Sequence, residues 1–374
     1  MADRPVKDEP ARDKPVQGGP VQNGRSEGGR MQDGATGGDR RIRIEARLPF
    51  GTDAGRRAAS QEAAGYAGTF TRESNADPFL PLALAATTTE RIELGTAVAI
   101  AFARSPMNLA YTAHNLQALT EGRFVLGLGT QVRAHVVRRF SMGWDAPVAR
   151  MRDYLNALRA IWTAWREGSP LAHEGPYYSH TLMTPEFTPP AHDHPDPPVL
   201  LAAVGPAMTD LACEQADGLL VHPFSGAGYL REVTLPRVSA ALSRAGRAAA
   251  EFRMSGSVLV ATGRDEEEMA SSVAALRARI AFYGSTPAYR PVLAHHGWED
   301  LGTRLHALSR SRRPDARRAM AALVPDEVVS TIGVVAEPGE LAARVAERYG
   351  GLLDRVALNH PGPIPADLLD AAML

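Results

Sequence analysis

Short apolar runs and amphipathic intervals alternate along the chain from residue 41 onward. Ile42, Ile44, Ala46 and Leu48 alternate with charged residues, which predicts a partly exposed strand over 41–48. An alanine-rich helix over 55–65 and a second strand over 66–72, ending at Glu73, follow. Asp77 and Pro78 precede Phe79, Leu80, Leu82 and Leu84, a helix start with Asp77 as N-cap. Ile92, Leu94, Val98 and Ile100, then Phe124, Val125, Leu126 and Leu128, read as two buried strands. Between them, Leu109, Ala113, Leu116 and Leu119 share one face of a helix over 106–121 that Gly122 stops. The result is a right-handed strand, helix, strand unit with parallel strands.

The same alternation continues. An irregular stretch with Arg133, His135, Arg138, Arg139 and Trp144 leads into a long helix over 147–166, whose Met151, Tyr154, Leu155, Leu158 and Trp162 repeat at core-facing spacing. Residues 168–197 are loop-like and rich in Pro and His, with a hairpin-like turn at Glu174–Tyr178. Further strands are expected over 198–204, 218–221, 254–261 and 353–358, with helices from Met208 and over 265–282. Eight strands, each followed by helical material, predict an α/β fold closed as a TIM barrel rather than an open dinucleotide-binding sheet. Gly127-Leu-Gly-Thr-Gln-Val132 also fails the Gly-x-Gly-x-x-Gly pattern at its third glycine. The expected organisation is a disordered tail over 1–40, or a start assigned upstream of the folded domain, then one barrel domain over 41–374 with insertions at about 168–197 and 284–328.

Composition narrows the function classes. A chain of 374 residues with 44% hydrophobic content can bury a large core. The formal net charge of −1 gives no global field toward nucleic acid or anionic membrane, so neither is expected as a partner. One cysteine, Cys213, excludes a disulfide framework and reads as a buried inert thiol in a reducing, cytoplasmic compartment. There is no apolar run of membrane-spanning length and no signal peptide. His173, His180, His192 and His194 lack a metal-ligand spacing, so no metal is expected. The only lysines are Lys7 and Lys14, which leaves cationic work in the barrel to arginine.

The residue choice in two strands is more specific than their periodicity. Thr89-Glu-Arg-Ile-Glu-Leu-Gly-Thr-Ala-Val98 and Gly122-Arg-Phe-Val-Leu-Gly-Leu-Gly-Thr130 resemble the third and fourth strands of the luciferase-like monooxygenase superfamily, particularly its deazaflavin (coenzyme F-420)-dependent oxidoreductase branch. The resemblance runs from the first strand to the eighth. It implies hydride transfer between the coenzyme and a small organic substrate, and barrels that are often paired as homodimers.

Barrel chemistry sits at the carboxyl ends of the strands, which nominates Arg47, Glu73, Ala97, Val98, Thr130, Gln131, His135, Gly205, His222 and His360. The resemblance places a non-proline cis peptide at Ala97 and Val98, beneath the coenzyme ring, with Thr130 and Gln131 beside it. It places the phosphate at the turn Ala203, Val204 and Gly205, where amides at a helix start attract an anion without lysine. His222, at the end of the sixth strand, is a candidate for a further coenzyme contact. Glu73 and His135 are the catalytic candidates, because a carboxylate or imidazole facing the reacting carbon can exchange a proton when hydride moves. Arg290, Arg310, Arg312 and Arg313 are candidates for a basic groove along the coenzyme's polyglutamate tail.

Two departures from the family pattern bear on the chemistry. Ala76 stands where a histidine is usual before Asp-Pro-Phe, and Asn115 stands where aspartate is frequent. A flavin mononucleotide (FMN)-dependent monooxygenase is the alternative, and the missing histidine at Ala76 motivates a third reading, a barrel that binds its coenzyme without turnover.

Overall fold

The computed structural model describes residues 42–361, and the expected tail over 1–40 lies outside them. Eight strands form the barrel: β1 (Arg43–Arg47), β2 (Gly68–Thr71), β3 (Glu93–Thr96), β4 (Phe124–Gly129), β5 (Val199–Ala203), β6 (Gly218–Val221), β7 (Arg253–Ala261) and β8 (Arg355–Asn359). Each pairs in parallel with the next. The ring closes where Arg43 of β1 sits opposite Arg355 of β8. The α/β barrel expected from the alternation is therefore the observed one.

Helices bury the outer faces of the strands, because each strand alternates its side chains between the helices and the barrel interior. The interior holds a small apolar plug of Phe70, Val125 and Leu200, against which Leu220 packs. Gly95 makes room for it, since a Cβ there would lie 2.4 Å from Cε1 of Phe70. Below the plug, at the amino ends of the strands, Glu93 pairs with Arg253 and with Arg355, each at 2.9 Å.

Local signals explain the element boundaries. The helix Pro106–Leu119 starts with Ser105 accepting from the Asn108 N–H and Pro106 in its first turn. Leu119, expected on the buried face, is 54% exposed. The inward position near this helix end goes instead to Gln117, whose Oε1 accepts the Phe124 N–H at 3.1 Å and whose Nε2 donates to the Pro195 carbonyl at 2.8 Å. A polar side chain is needed there to satisfy the first amide of β4. Asp77 Oδ1 accepts from the Phe79 and Leu80 amides, but the helix, Leu80–Ala86, starts later than expected and has Phe79 at its N-cap. The long helix Pro147–Glu167 ends at Gly168 in the left-handed region, φ +63°.

Both expected insertions contain ordered elements. The first contains a hairpin, His173–Glu174 with Ser179–His180, pinned by Asp153, which accepts from the Tyr177 and Tyr178 amides and lies 3.0 Å from His173 Nε2. The second is wider than 284–328. Helices Glu266–Gly284, Arg290–His295, Glu299–Arg310, Ala316–Leu323 and Asp326–Ile332 form a cap with its own core, which includes Leu276, Ile280, Leu305 and Ile332. That core reaches Leu259 and Ala261 at the carboxyl end of β7 and Phe224 after β6. The stretch after Gln131, expected to be irregular, contains a short helix Arg133–Arg138 held by the buried Val136. No helix among the described residues is long and apolar enough to cross a membrane.

Candidate active site

At the end of β3 the ladder to β4 is interrupted. Leu94 and Gly95 pair with Phe124 and Val125, and pairing resumes with Ala99 opposite Leu128 and Ile100 opposite Gly129. Three residues of one strand thus oppose two of the other, a bulge of one residue. The Ala97–Val98 peptide within it is cis. The Thr96 hydroxyl spans the gap, donating to the Gly127 carbonyl at 2.7 Å and accepting the Gly127 N–H at 3.0 Å. Only glycine fits opposite, because a Cβ on Gly127 would lie 1.8 Å from the Thr96 carbonyl oxygen.

Strand β2 grips the bulge from the other side. The Ala97 N–H donates to the Thr71 carbonyl at 2.7 Å, and the Glu73 N–H donates to the Val98 carbonyl at 3.1 Å. The buried Glu73 carboxylate takes the Ile100 N–H at 2.7 Å and a two-pronged ion pair from Arg104, Nη1 at 2.7 Å and Nη2 at 2.9 Å. Arg104 also donates to the Ile100 carbonyl and lies over the Phe79 ring, 5.3 Å from its centroid. Both oxygens of Glu73 are thus committed to holding the bulge.

Proceeding round the mouth, Thr130 and Gln131 follow β4, with Gln131 at φ +61° and its own Oε1 accepting the Val132 N–H. Next, β5 ends at Ala203, and Val204 and Gly205 lead exposed into the helix Pro206–Gln215. A Cβ on Gly205 would meet nothing within 4 Å, so the space above the turn is open. The amides of Ala207 and Met208 in the first turn have no intrahelical acceptor, which makes this a place where an anion can settle.

His222 follows β6 and meets the cap. Its Nδ1 accepts the Phe224 N–H at 3.2 Å, which leaves Nε2 as the protonated nitrogen of the neutral ring, 2.9 Å from the Tyr289 hydroxyl. Burial pushes the imidazole pKa down to about 3 and the Tyr289 hydroxyl, beside Tyr283, up to about 12. Both stay uncharged across the physiological range.

The structure therefore gathers Glu73, Ala97, Val98, Thr130, Gln131, Ala203, Val204, Gly205 and His222 at the carboxyl ends of consecutive strands, β2 to β6. His135 follows Gln131 on the short helix Arg133–Arg138 and is exposed. His360 is 2.7 Å from Ser272 Oγ, which also accepts the Thr262 N–H, so it ties the cap to β8. Arg313 is paired with Asp315, while Arg290, Arg310 and Arg312 are exposed. Cys213 is buried, and burial raises its thiol pKa to about 11. Sequence reasoning missed Arg104 and Tyr289. A charged residue inside the otherwise apolar run Ala99–Ala103 and Ser105-Pro106 was the available signal for Arg104, since a buried cation needs a buried acid.

Comparison with known proteins agrees with this geometry. The luciferase-like monooxygenase family matches residues 43–355. An uncharacterized protein of Mycobacterium tuberculosis is 46% identical over 321 residues, covering 86% of this chain and 94% of its own. Among solved structures, the coenzyme F-420 dependent tetrahydromethanopterin reductase of Methanopyrus kandleri superposes with a TM-score of 0.71 at 19% identity, covering 89% of this chain and 97% of that one. The oxygenating constituent of 3,6-diketocamphane monooxygenase from Pseudomonas putida, in complex with FMN, gives 0.59 at 17% identity, covering 86% and 92%. Family match and barrel geometry together establish that the chain belongs to the luciferase-like monooxygenase family and is an oxidoreductase.

Proposed function

We propose that this oxidoreductase uses coenzyme F-420, exchanging hydride between the deazaflavin and a small organic substrate. The observation that carries the reading is the pairing of a backbone platform at Ala97 and Val98, clamped by Glu73 and Arg104, with an open amide turn at Ala203–Gly205 two strands away. Ala97 and Val98 would carry the flat ring and the Ala203–Gly205 turn its phosphate, with Thr130 and Gln131 at the strand end between them. When bound, the deazaflavin supplies hydride exchange at carbon 5.

The protein's part is orientation and proton handling. Glu73 acts as a positioning residue, because its oxygens are engaged by Arg104 and the Ile100 N–H. His135 keeps access to solvent and is the group assigned to proton exchange. The greater similarity to the F-420-dependent reductase than to the FMN complex supports the deazaflavin over FMN.

The test is fluorescence-quenching titration of the protein with oxidised coenzyme F-420, alongside Gly205→Asp. A carboxylate at the turn repels the coenzyme phosphate, so affinity is expected to fall about tenfold or more. Equal affinities for both proteins would remove the turn from the site, and tighter binding of FMN would move the reading to a flavin monooxygenase.

A further inference from the structure

The mouth of the barrel has a second arc that coenzyme placement leaves unused. Inward positions alternate along β1 and β2, and two are fixed by what they touch. Glu45 is buried beside the charges of Arg355, Glu93 and Arg253, and Phe70 belongs to the plug. The next inward positions toward the mouth are Arg47 and Arg72. Arg47 pairs across the strands with Phe70, so the two arginines stand on neighbouring strands immediately above the plug.

Both are exposed, and neither side chain has an ion-pair or hydrogen-bond partner among the described residues. The adjacent carboxylate, Glu73, is taken by Arg104. Arg279, on the cap helix Glu266–Gly284, adds a third positive charge near Arg47. Burial and the like charges of Arg72 and Arg279 hold the Arg47 guanidinium below its ordinary pKa. Repulsion of this kind is relieved when an anion enters.

We propose that Arg47 and Arg72 bind an oxyanion of the substrate, a carboxylate or a phosphate, so that the substrate class is organic acids or phosphate esters rather than neutral alcohols or ketones. Guanidinium pairs suit this task because each presents a planar fork of donors to such a group. The inference rests on the proposed function in one respect: the coenzyme fills the arc from β2 to β6 and leaves the arc from β7 to β2 for substrate.

The test is calorimetric titration of the F-420-loaded protein with benzoate, phenyl phosphate and the neutral benzyl alcohol. Wild type is expected to bind one or both anions in preference to the alcohol, with affinity falling as salt rises. The Arg47→Met/Arg72→Met double variant should lose at least about tenfold in anion affinity, and the Arg47→Lys/Arg72→Lys variant should recover part of it. Whichever anion binds more tightly separates the carboxylate from the phosphate source. Equal anion binding by wild type and the methionine variant, or none by wild type, would overturn the proposal. So would a parallel loss of coenzyme affinity, because the arginines would then serve the coenzyme's own anionic groups. If wild type does not bind the coenzyme, the same titration on the coenzyme-free protein separates the two ideas: arginine-dependent anion binding there sustains this inference while the proposed function fails.

Discussion

At the amino ends of the strands, Glu93 pairs with both Arg253 and Arg355, and Glu45 is buried beside them. At the opposite end of the barrel, at the carboxyl ends of β1 and β2, Arg47 and Arg72 are exposed with no acid of their own among the described residues. One end spends its charges on the fold, and the other holds them for a ligand. The reason is dielectric: a buried charge without a partner is expensive, whereas a charge at an open mouth is solvated until a ligand displaces the water. Glu73 and Arg104 follow the first rule at the border of the second region, a buried pair that shapes the platform.

Breaking the paired end should have the largest effect. Glu93→Gln takes away the carboxylate that pairs directly with both arginines and leaves only Glu45 beside them, and a loss of about 3 kcal/mol in urea unfolding is expected. The Arg47→Met/Arg72→Met variant should change stability by less than about 1 kcal/mol in the same experiment. A large loss from the second, or none from the first, would erase the contrast between the ends.

Glu45 sharpens the comparison through pH. Its Oε1 has no hydrogen-bond partner among the described residues, and burial raises its pKa from 4.5 to about 7 despite Arg355. The folded protein therefore holds a proton that the unfolded chain has released between those values. The stabilisation is present below pH 4.5 and is lost as pH rises through about 7. Glu45→Gln should consequently gain about 3 kcal/mol at pH 8 and little at pH 4.5, read from thermal unfolding at the two pH values.

His222 titrates with the opposite sign. Its folded pKa is depressed from 6.5 to about 3, so the unfolded chain takes up the extra proton in that window. Stability is retained above pH 6.5 and declines as pH falls toward 3. In His222→Gln the decline over this window should be shallower than in wild type. Identical slopes would show that the imidazole titrates as freely in the fold as outside it.

The barrel was legible because short apolar runs ending in Gly-Thr or His-Pro mark the strand ends, and because helical spacing marks the interval at 106–119. The bulge at Ala97 and Val98 was legible only through the motif, since periodicity alone continues the strand from Ile92 to Ile100. Pairings between distant residues were not legible. Arg104 reaches Glu73 across 31 positions and Tyr289 reaches His222 across 67. Nothing local in either stretch names its partner. The same limit hid the cap, whose helices read as a surface insertion until their shared core with Leu259 and Ala261 was seen. Arg47 was visible as a strand end, and Arg72 became its companion only through the register of β1 on β2.

The central claim is that the mouth is built for a deazaflavin. Equilibrium dialysis of the protein against an equimolar mixture of coenzyme F-420 and FMN tests it most directly. The account predicts retention of coenzyme F-420 over FMN by about tenfold or more. Preferential retention of FMN, or of neither, would contradict it.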